Sequence, residues 1–219
     1  MSVPCSVLIL ISGRGSNMRA LIERSRAPRS AYRVDAVLAD RADAGGLAVA
    51  AQLGIDTDVI APRPGTNRDD YGAELAAAVA RRAPDLLALA GFMRILSPSF
   101  VAAHAGRILN VHPSLLPKHP GLHTHRRALA AGDAEHGATV HFVTADLDAG
   151  PAVIQARLAV TPGETEAGLA ARVLTLEHQI YPLAVDWYGE GRLACRDGHA
   201  WLDGRALTEP LRYERLEAA

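Results

Sequence analysis

The sequence of 219 residues contains only two cysteines, Cys5 and Cys195, which lie near opposite ends of the chain. A disulfide framework needs more cysteines, and a cysteine-based metal site needs ligands that lie closer together. A long apolar run is also missing, because the first one, residues 7–11, is too short to cross a membrane and follows no basic segment. We therefore expect a soluble cytoplasmic protein that does not associate with membranes.

An excess of charge of one sign is absent as well, since 23 basic residues face 24 acidic ones and the net charge is −1. Proteins that bind nucleic acid or an anionic membrane surface usually present a basic field. We predict no nucleic-acid partner. The hydrophobic content of 49% and the charged content of 21% are ordinary for a globular protein, and the length fits one domain, residues 1–219.

Short apolar runs alternate with helical segments along most of the chain. Strands are predicted at residues 7–11, 34–39, 55–60, 86–90, 107–111, 138–143 and 151–160. Helices of ten or more residues between strands indicate β-α-β units. The fold class predicted is therefore α/β, with a doubly wound, mainly parallel sheet and helices on both faces.

Polar residues at the helix starts and one proline set the expected helix ends. Asn67, Ser97 and Thr165 each precede a helical segment and can accept hydrogen bonds from its first amides. Pro182 lies inside the last long helical segment, and we expect it to kink or break that helix because it has no amide hydrogen.

A glycine-rich turn joins the first strand to the first helix. Gly13 and Gly15 allow a tight turn, and the amides that follow, from Ser16 onward, form an anion site at a helix N-terminus. The third glycine of the dinucleotide fingerprint is replaced by Met18, and the Gly-Lys-Ser/Thr of a P-loop is absent. Phosphate binding is predicted here, and a plain turn capped by Ser16 is the alternative.

Asn110 and His112 end the fifth strand and point to the same side of it, because they are two residues apart. An amide and an imidazole can both donate to a developing oxyanion, and an imidazole can also transfer a proton near neutral pH. The alternative is a hydrogen-bonded pair that only holds the proline-rich loop in place.

Seven of the nine histidines lie between residues 104 and 141, which raises the question of a metal. His119 and His123 have the spacing of a helical chelate, but a proline and a glycine lie between them. No cysteine or glutamate lies close enough to complete a zinc site, so no metal is predicted. His104 and His136 are expected at the surface or at helix ends.

Asp146 and Asp148 lie in a loop between two predicted strands. A carboxylate in this loop can pair with an imidazole and favour its charged form. The alternative is an Asx turn, which is common in loops rich in aspartate, glycine and proline. Spacing does not choose between the two aspartates.

These motifs resemble the glycinamide ribonucleotide formyltransferases, the folate-dependent enzymes of purine biosynthesis. The resemblance covers residues 6–193 and rests on four segments: ISGRGSN at 11–17, AGFMRIL at 90–96, NVHPSLLP at 110–117 and HFVTADLDAGP at 141–151. It implies the Rossmann-like formyltransferase fold, in which residues 1–105 bind the phosphate and residues 106–195 bind folate and perform the catalysis.

The resemblance also implies a role for particular positions. Its catalytic residues are Asn110, His112 and Asp148, a choice that excludes Asp146. The residues implied to bind the phosphoribosylglycinamide are Gly15, Ser16, Asn17, Met18, Arg19, Pro113 and Glu177. Those implied to bind folate are Arg68, Leu89, Met93, Arg94, Ile95, Leu96, Asn110, His141 and Asp148.

The reaction implied is transfer of the formyl group of 10-formyltetrahydrofolate, a cosubstrate, to a small amine substrate without a metal. A formyltetrahydrofolate deformylase, the core of a methionyl-tRNA formyltransferase and a non-catalytic folate-binding module are the alternatives. The first two usually have a further domain, and a binding module does not need the three catalytic residues together. A homodimer is one expectation for the oligomeric state, and a cis bond is expected between Leu116 and Pro117.

Overall fold

The computed structural model describes residues 3–213. Its strands are β1 (Cys5–Ile11), β2 (Tyr32–Ala39), β3 (Asp56–Val59), β4 (Leu86–Leu89), β5 (Ile108–His112), β6 (Glu135–Phe142), β7 (Ala152–Ala159), β8 (Leu193–Arg196), β9 (His199–Leu202), β10 (Arg205–Ala206) and β11 (Leu211–Tyr213). Its helices are α1 (Ser16–Ser25), α2 (Gly45–Gln52), α3 (Arg68–Arg82), α4 (Pro98–Ala103), α5 (Thr124–Ala131) and α6 (Glu166–Gly189).

Eight strands form one sheet in the order β11-β7-β6-β5-β4-β1-β2-β3. The pairs β3–β2, β2–β1, β1–β4, β4–β5 and β7–β11 are parallel, whereas β6 runs antiparallel to both β5 and β7. The mainly parallel α/β fold predicted from the alternating pattern is confirmed. Because β1, β4 and β5 are parallel, their carboxyl ends meet at one edge of the sheet, which is where ligands bind in such folds.

The apolar run of β1 is buried on both faces of this sheet. Val7, Ile9 and Ile11 pack in a core with α1 and α6, while Leu8 and Leu10 pack in a second core with α3 and α4. Successive side chains of a strand point to opposite faces, so a continuous apolar run requires a helical layer on each side. The predicted helices on both faces are therefore present.

The three predicted caps are confirmed. The Asn67 side chain accepts from the amides of Asp69 and Asp70, Ser97 accepts from Phe100, and Thr165 accepts from Gly168. These contacts satisfy amides that have no partner inside the helix. The caps fix where α3, α4 and α6 begin.

Of the kink or break expected at Pro182, the break is wrong, because α6 is continuous from Glu166 to Gly189. The proline removes one amide donor from the helix, but the surrounding turns are strongly buried. Ile180 and Tyr181 have no exposed surface, and the Tyr181 hydroxyl donates to the carbonyl groups of Leu89 and Leu109. This packing against β4 and β5 stabilises the helix on both sides of the proline.

The chain after α6 adds a small antiparallel sheet in the order β10-β9-β8 and returns to the main sheet through β11. Strands β8 and β9 pair as an antiparallel hairpin. Strands β10 and β11, of two and three residues, were not predicted because they are too short to show a period. Within residues 3–213 no helix has the length and apolar character needed to cross a membrane.

Candidate active site

A cavity of about 610 Å³ opens at the carboxyl end of β5. Asn110 and His112 both line it, as their positions on the strand predict, and Asp148 lines it from the β6–β7 loop. Met93 and Pro113 contribute to its wall as well. The structure thus brings together the three residues that the resemblance implies for catalysis.

Two hydrogen-bond acceptors flank the His112 imidazole. Its Nδ1 lies 3.4 Å from Oδ2 of Asp148, and its Nε2 lies 3.0 Å from the backbone oxygen of His119. Asp148 is itself held in place, because its Oδ2 accepts from the Gly121 amide at 2.8 Å. Both of these oxygens can only accept, so each ring nitrogen of His112 faces an acceptor. Asp146, by contrast, is exposed in the loop.

Asn110 is held by a buried histidine on the neighbouring strand. His141 lies opposite Asn110 in the β5–β6 pair, and its Nε2 is 3.1 Å from Nδ2 of Asn110. The Nδ1 of His141 lies 3.0 Å from the Phe142 carbonyl, which can only accept, so Nδ1 has the proton and Nε2 accepts from the amide. Burial lowers the pKa of His141 to about 4 and keeps this ring neutral.

A second cavity of about 90 Å³ lies between the loop after β4 and the loop after β6. Among the residues implied to bind folate, those that line it are Leu89, Arg94, Ile95, Leu96, Asn110, His141 and Asp148. Asn110 and Asp148 line both cavities, so they lie where the two spaces meet. Arg68, the first residue of α3, is exposed and lines neither of these cavities.

The glycine-rich turn lies at the carboxyl end of β1. Gly15 precedes α1 with φ +75°, and a Cβ there would lie 2.9 Å from Cε of Met18 and 3.0 Å from Cα of Gly46. Glycine is therefore required by both backbone conformation and space. Gly15 rather than Ser16 is the N-cap residue, and no side chain caps the helix, so the cap expected at Ser16 is wrong.

The positions after this turn differ in what they can offer a ligand. The side chain of Met18 is fully buried, which leaves only its amide. The amide of Arg19 already donates to the Gly15 carbonyl at 2.9 Å, and its side chain pairs with Glu23. A phosphate at this turn would thus be held mainly by the amides of Ser16, Asn17 and Met18.

Glu177 of α6 lies against this turn and accepts a hydrogen bond from Nδ2 of Asn17. Both side chains are buried. Burial raises the pKa of Glu177 to about 7, and the hydrogen bond from Asn17 opposes part of that rise. The contact joins the late helix to the glycine-rich turn, two segments that are 160 residues apart.

Two residues that hold the loop after β4 were not predicted from the sequence. The Asp40 carboxylate lies 2.6 Å from Nε of Arg94, and the Ser12 hydroxyl accepts from the Met93 amide at 2.8 Å. The Arg94 guanidinium also lies over the Tyr71 ring, 5.4 Å from its centroid. Asp40 directly follows β2, at the edge of the sheet where ligands bind in such folds, and this position could have predicted a role near the site.

Comparison with known proteins decides the family. The formyl transferase family model matches residues 5–185. Phosphoribosylglycinamide formyltransferase of Escherichia coli strain K12 is 50% identical over 202 residues, which cover 92% of this chain and 95% of that protein. The chain belongs to this formyltransferase family.

Solved structures agree with the family assignment. The phosphoribosylglycinamide formyltransferase of Coxiella burnetii, solved in complex with CHES, superposes with a TM-score of 0.92 at 44% identity and covers 97% of this chain and 100% of that one. A formyltetrahydrofolate deformylase from Pseudomonas syringae superposes with a TM-score of 0.83 at 22% identity, over 92% of this chain and 66% of that chain. At that identity the likeness to the deformylase concerns the fold alone.

Three other histidines of this formyltransferase, His119, His125 and His136, lie together beside the proline-rich loop. His136 was expected at the surface, which is wrong, because it lies in β6 with 1% of its surface exposed. Its Nε2 is 3.1 Å from Nδ1 of His125, and burial lowers its pKa to about 4. Among residues 3–213, no group of three or more histidine, cysteine, aspartate or glutamate side chains is arranged to hold a metal ion. The bond between Leu116 and Pro117 is cis, as expected.

Proposed function

We propose that this formyltransferase transfers the formyl group of 10-formyltetrahydrofolate to the amine of 5-phosphoribosylglycinamide in purine biosynthesis. The observation that supports it most is that Asn110, His112 and Asp148 line one cavity together, and that Asn110 and Asp148 also line the second. The 50% identity to the Escherichia coli phosphoribosylglycinamide formyltransferase is independent support.

The two substrates would approach this junction from opposite sides. The folate head group would enter the small cavity beside Leu89, Leu96 and His141, and the rest of the cosubstrate would extend past Met93 toward Arg68. The phosphate of the amine substrate would bind the amides after Gly15. Glu177, next to Asn17, and Pro113 would then lie beside the glycinamide part. This arrangement divides the chain into a phosphate-binding half, residues 1–105, and a folate-binding half, residues 106–195.

Bond making would take place at the Asn110 and His112 side chains. The substrate amine attacks the formyl carbon, a carbon–nitrogen bond forms, and the former carbonyl oxygen becomes an oxyanion. The free N–H of the Asn110 amide and an N–H of charged His112 would stabilise that oxyanion. Asp148 would favour the charged form of His112 through the 3.4 Å pairing.

The intermediate collapses once a proton has moved from the new ammonium to N10 of the folate. The bond between the formyl carbon and N10 then breaks, which releases tetrahydrofolate and the formylated substrate. His112 lies beside the reacting atoms in this arrangement, and an imidazole is a side chain that can pass on a proton. No metal is needed to balance these steps, because the oxyanion and the proton are both met by side chains.

The direct test is an assay of the purified protein with phosphoribosylglycinamide and 10-formyltetrahydrofolate, with release of tetrahydrofolate as the measurement. We expect rapid release only when the amine substrate is present. Release with folate alone would instead support a deformylase, and formylation of methionyl-tRNA would support the transferase of that substrate. Tight folate binding without turnover would indicate a binding module.

Two further proposals concern the protein as a whole. We propose a homodimer, and we propose a cytoplasmic location because the two cysteines lie far apart and the apolar runs are short. Light scattering after gel filtration, over a range of protein concentrations, would test the first, and cell fractionation would test the second. A single monomer mass at every concentration would exclude the dimer.

A further inference from the structure

The loop that follows His112 turns back and places a backbone carbonyl on the catalytic imidazole. His119 adopts a left-handed conformation with φ +54°, which non-glycine residues seldom adopt. Its carbonyl oxygen lies 3.0 Å from Nε2 of His112. A conformation of this kind persists only where the surroundings hold it, so the contacts of His119 determine where that carbonyl points.

Asp133, between α5 and β6, holds the loop through both carboxylate oxygens. Its Oδ2 lies 2.7 Å from Nε2 of His119, and its Oδ1 lies 2.9 Å from Nζ of Lys118. The hydrogen bond from His119, followed by that from Lys118, holds the pKa of Asp133 below its usual range. Only the His119 contact involves a mostly buried donor, because 14% of the His119 side chain is exposed and 62% of Lys118.

The buried start of the same loop is held as well. The Ser114 hydroxyl donates to the Lys118 carbonyl at 2.6 Å, and the Ser114 carbonyl accepts from Oγ1 of Thr139 at 2.7 Å. Ser114 and Thr139 have no exposed surface. The loop therefore leaves the sheet at a fixed point, and Asp133 fixes its far end at His119.

These contacts decide which nitrogen of His112 faces the reacting atoms. A carbonyl oxygen only accepts, so Nε2 of His112 has its proton on the His119 side. We propose that His119 and Asp133 are positioning residues that hold Nε2–H on the loop, so that Nδ1, beside Asp148, is the nitrogen that works in catalysis. This inference rests on the proposed function of the site.

The first test measures steady-state rates for Asp133→Asn and His119→Phe in the full chain, beside the matched variant Lys118→Gln. We expect kcat to fall by about tenfold in the first two, the size typical of a lost hydrogen bond to a charged group. The KM of each substrate should stay within about twofold, because no substrate contact is removed. Lys118→Gln should stay within about twofold of the wild type in kcat, and an equal loss there would overturn the proposal.

The second test adds Asp133→Asn to His112→Ala. If Asp133 acts only through His112, the second change should leave the residual rate unaltered. A further tenfold loss in the double variant would show that Asp133 has a general structural effect and would overturn the proposal. Thermal unfolding of each variant identifies those that have lost the fold.

The third test needs no turnover and separates this inference from the proposed function. Imidazole 15N NMR of His112, recorded at a pH where the ring is neutral, should show the proton on Nε2 in the wild type and in Lys118→Gln, and a change of tautomer balance in His119→Phe and Asp133→Asn. If the wild type does not formylate phosphoribosylglycinamide but shows this signature, only the proposed function fails. An unchanged Nε2 signal in both loop variants would overturn the positioning role.

Discussion

Nδ2 of Asn110 lies 3.1 Å from Nε2 of His141, and this contact fixes the direction of the Asn110 amide. The neutral His141 ring has a single acceptor nitrogen, so the amide offers it one N–H and retains the other for the cavity. A histidine inside the sheet thereby orients a donor at the sheet edge. A charged His141 could not accept this hydrogen bond, because both of its nitrogens would then be donors.

Asn110→Ala should lower kcat by about 10²–10³, which is roughly 2.7–4 kcal/mol, because one oxyanion donor is lost. The expected loss is in kcat rather than in the KM of the amine substrate, whose phosphate binds elsewhere. Initial rates at several concentrations of both substrates measure it. A variant that retained full kcat would remove Asn110 from the oxyanion site.

His112→Ala should also lower kcat by about 10²–10⁴, since both a charged donor and the group that exchanges the proton are lost. Binding of the amine substrate, measured by calorimetry without folate, should change by less than about threefold because the proposed phosphate site lies at the turn after β1. Unimpaired turnover in this variant would contradict the mechanism directly.

Asp148→Asn should lower kcat by at least about tenfold, because His112 loses the negative partner that favours its charged form. The amide oxygen of the new side chain can still accept from the Gly121 backbone, so the loop should keep its course. Asp146→Asn is the matched control, since that aspartate is exposed in the same loop, and we expect kcat within about twofold of the wild type. Equal losses in both variants would attribute the effect to the loop charge rather than to the His112 pair.

Glu177→Gln should change how stability depends on pH. In the folded protein the pKa of Glu177 is about 7, whereas the ordinary pKa of a glutamate, which applies in the unfolded chain, is 4.5. Between these two pKa values the folded state keeps a proton that the unfolded state has released. The protonated Glu177 therefore stabilises the fold at low pH, and this stabilisation is lost as the pH rises toward 7. The slope reaches about 1.4 kcal/mol per pH unit.

Denaturant unfolding of the wild type and of Glu177→Gln at pH 5, 6, 7 and 8 tests this. The free energy of unfolding of the wild type, minus that of the variant, should decrease from pH 5 to pH 7 and level off above it. The buried His136 and His141, whose pKa values are lowered, make stability depend on pH in the opposite direction, but their contribution is the same in both proteins and cancels in the difference. A difference independent of pH would show that Glu177 ionises normally.

Gly150→Ala should destabilise the fold by about 1–3 kcal/mol, because a methyl group there has no room. Its Cβ would lie 1.9 Å from the Phe142 carbonyl oxygen, where the chain enters β7. Gly45→Ala is the matched control, since a Cβ at this helix start meets no atom within 4 Å. Thermal unfolding should show a lower midpoint than the wild type for Gly150→Ala but not for Gly45→Ala. Equal midpoints for the two variants would contradict a steric clash at Gly150.

The sequence alone determined the fold class. Its apolar runs have the length of strands and alternate with helical segments, which is the pattern of β-α-β units. It also placed Asn110 and His112 on one side of a strand, and it placed the glycine-rich turn at the binding edge. Local chemistry was sufficient for the helix caps at Asn67, Ser97 and Thr165, since a cap depends on neighbours within three residues.

Only the tertiary structure decided the contacts between segments far apart in the chain. It placed Asp148 rather than Asp146 beside His112, His141 beside Asn110, and the His119 carbonyl on the other side of the imidazole. It also kept α6 intact at Pro182, which local rules do not predict. These features depend on burial, on strand register and on the course of the loops. All three are set by the packing of the whole sheet and not by residues that are neighbours in sequence.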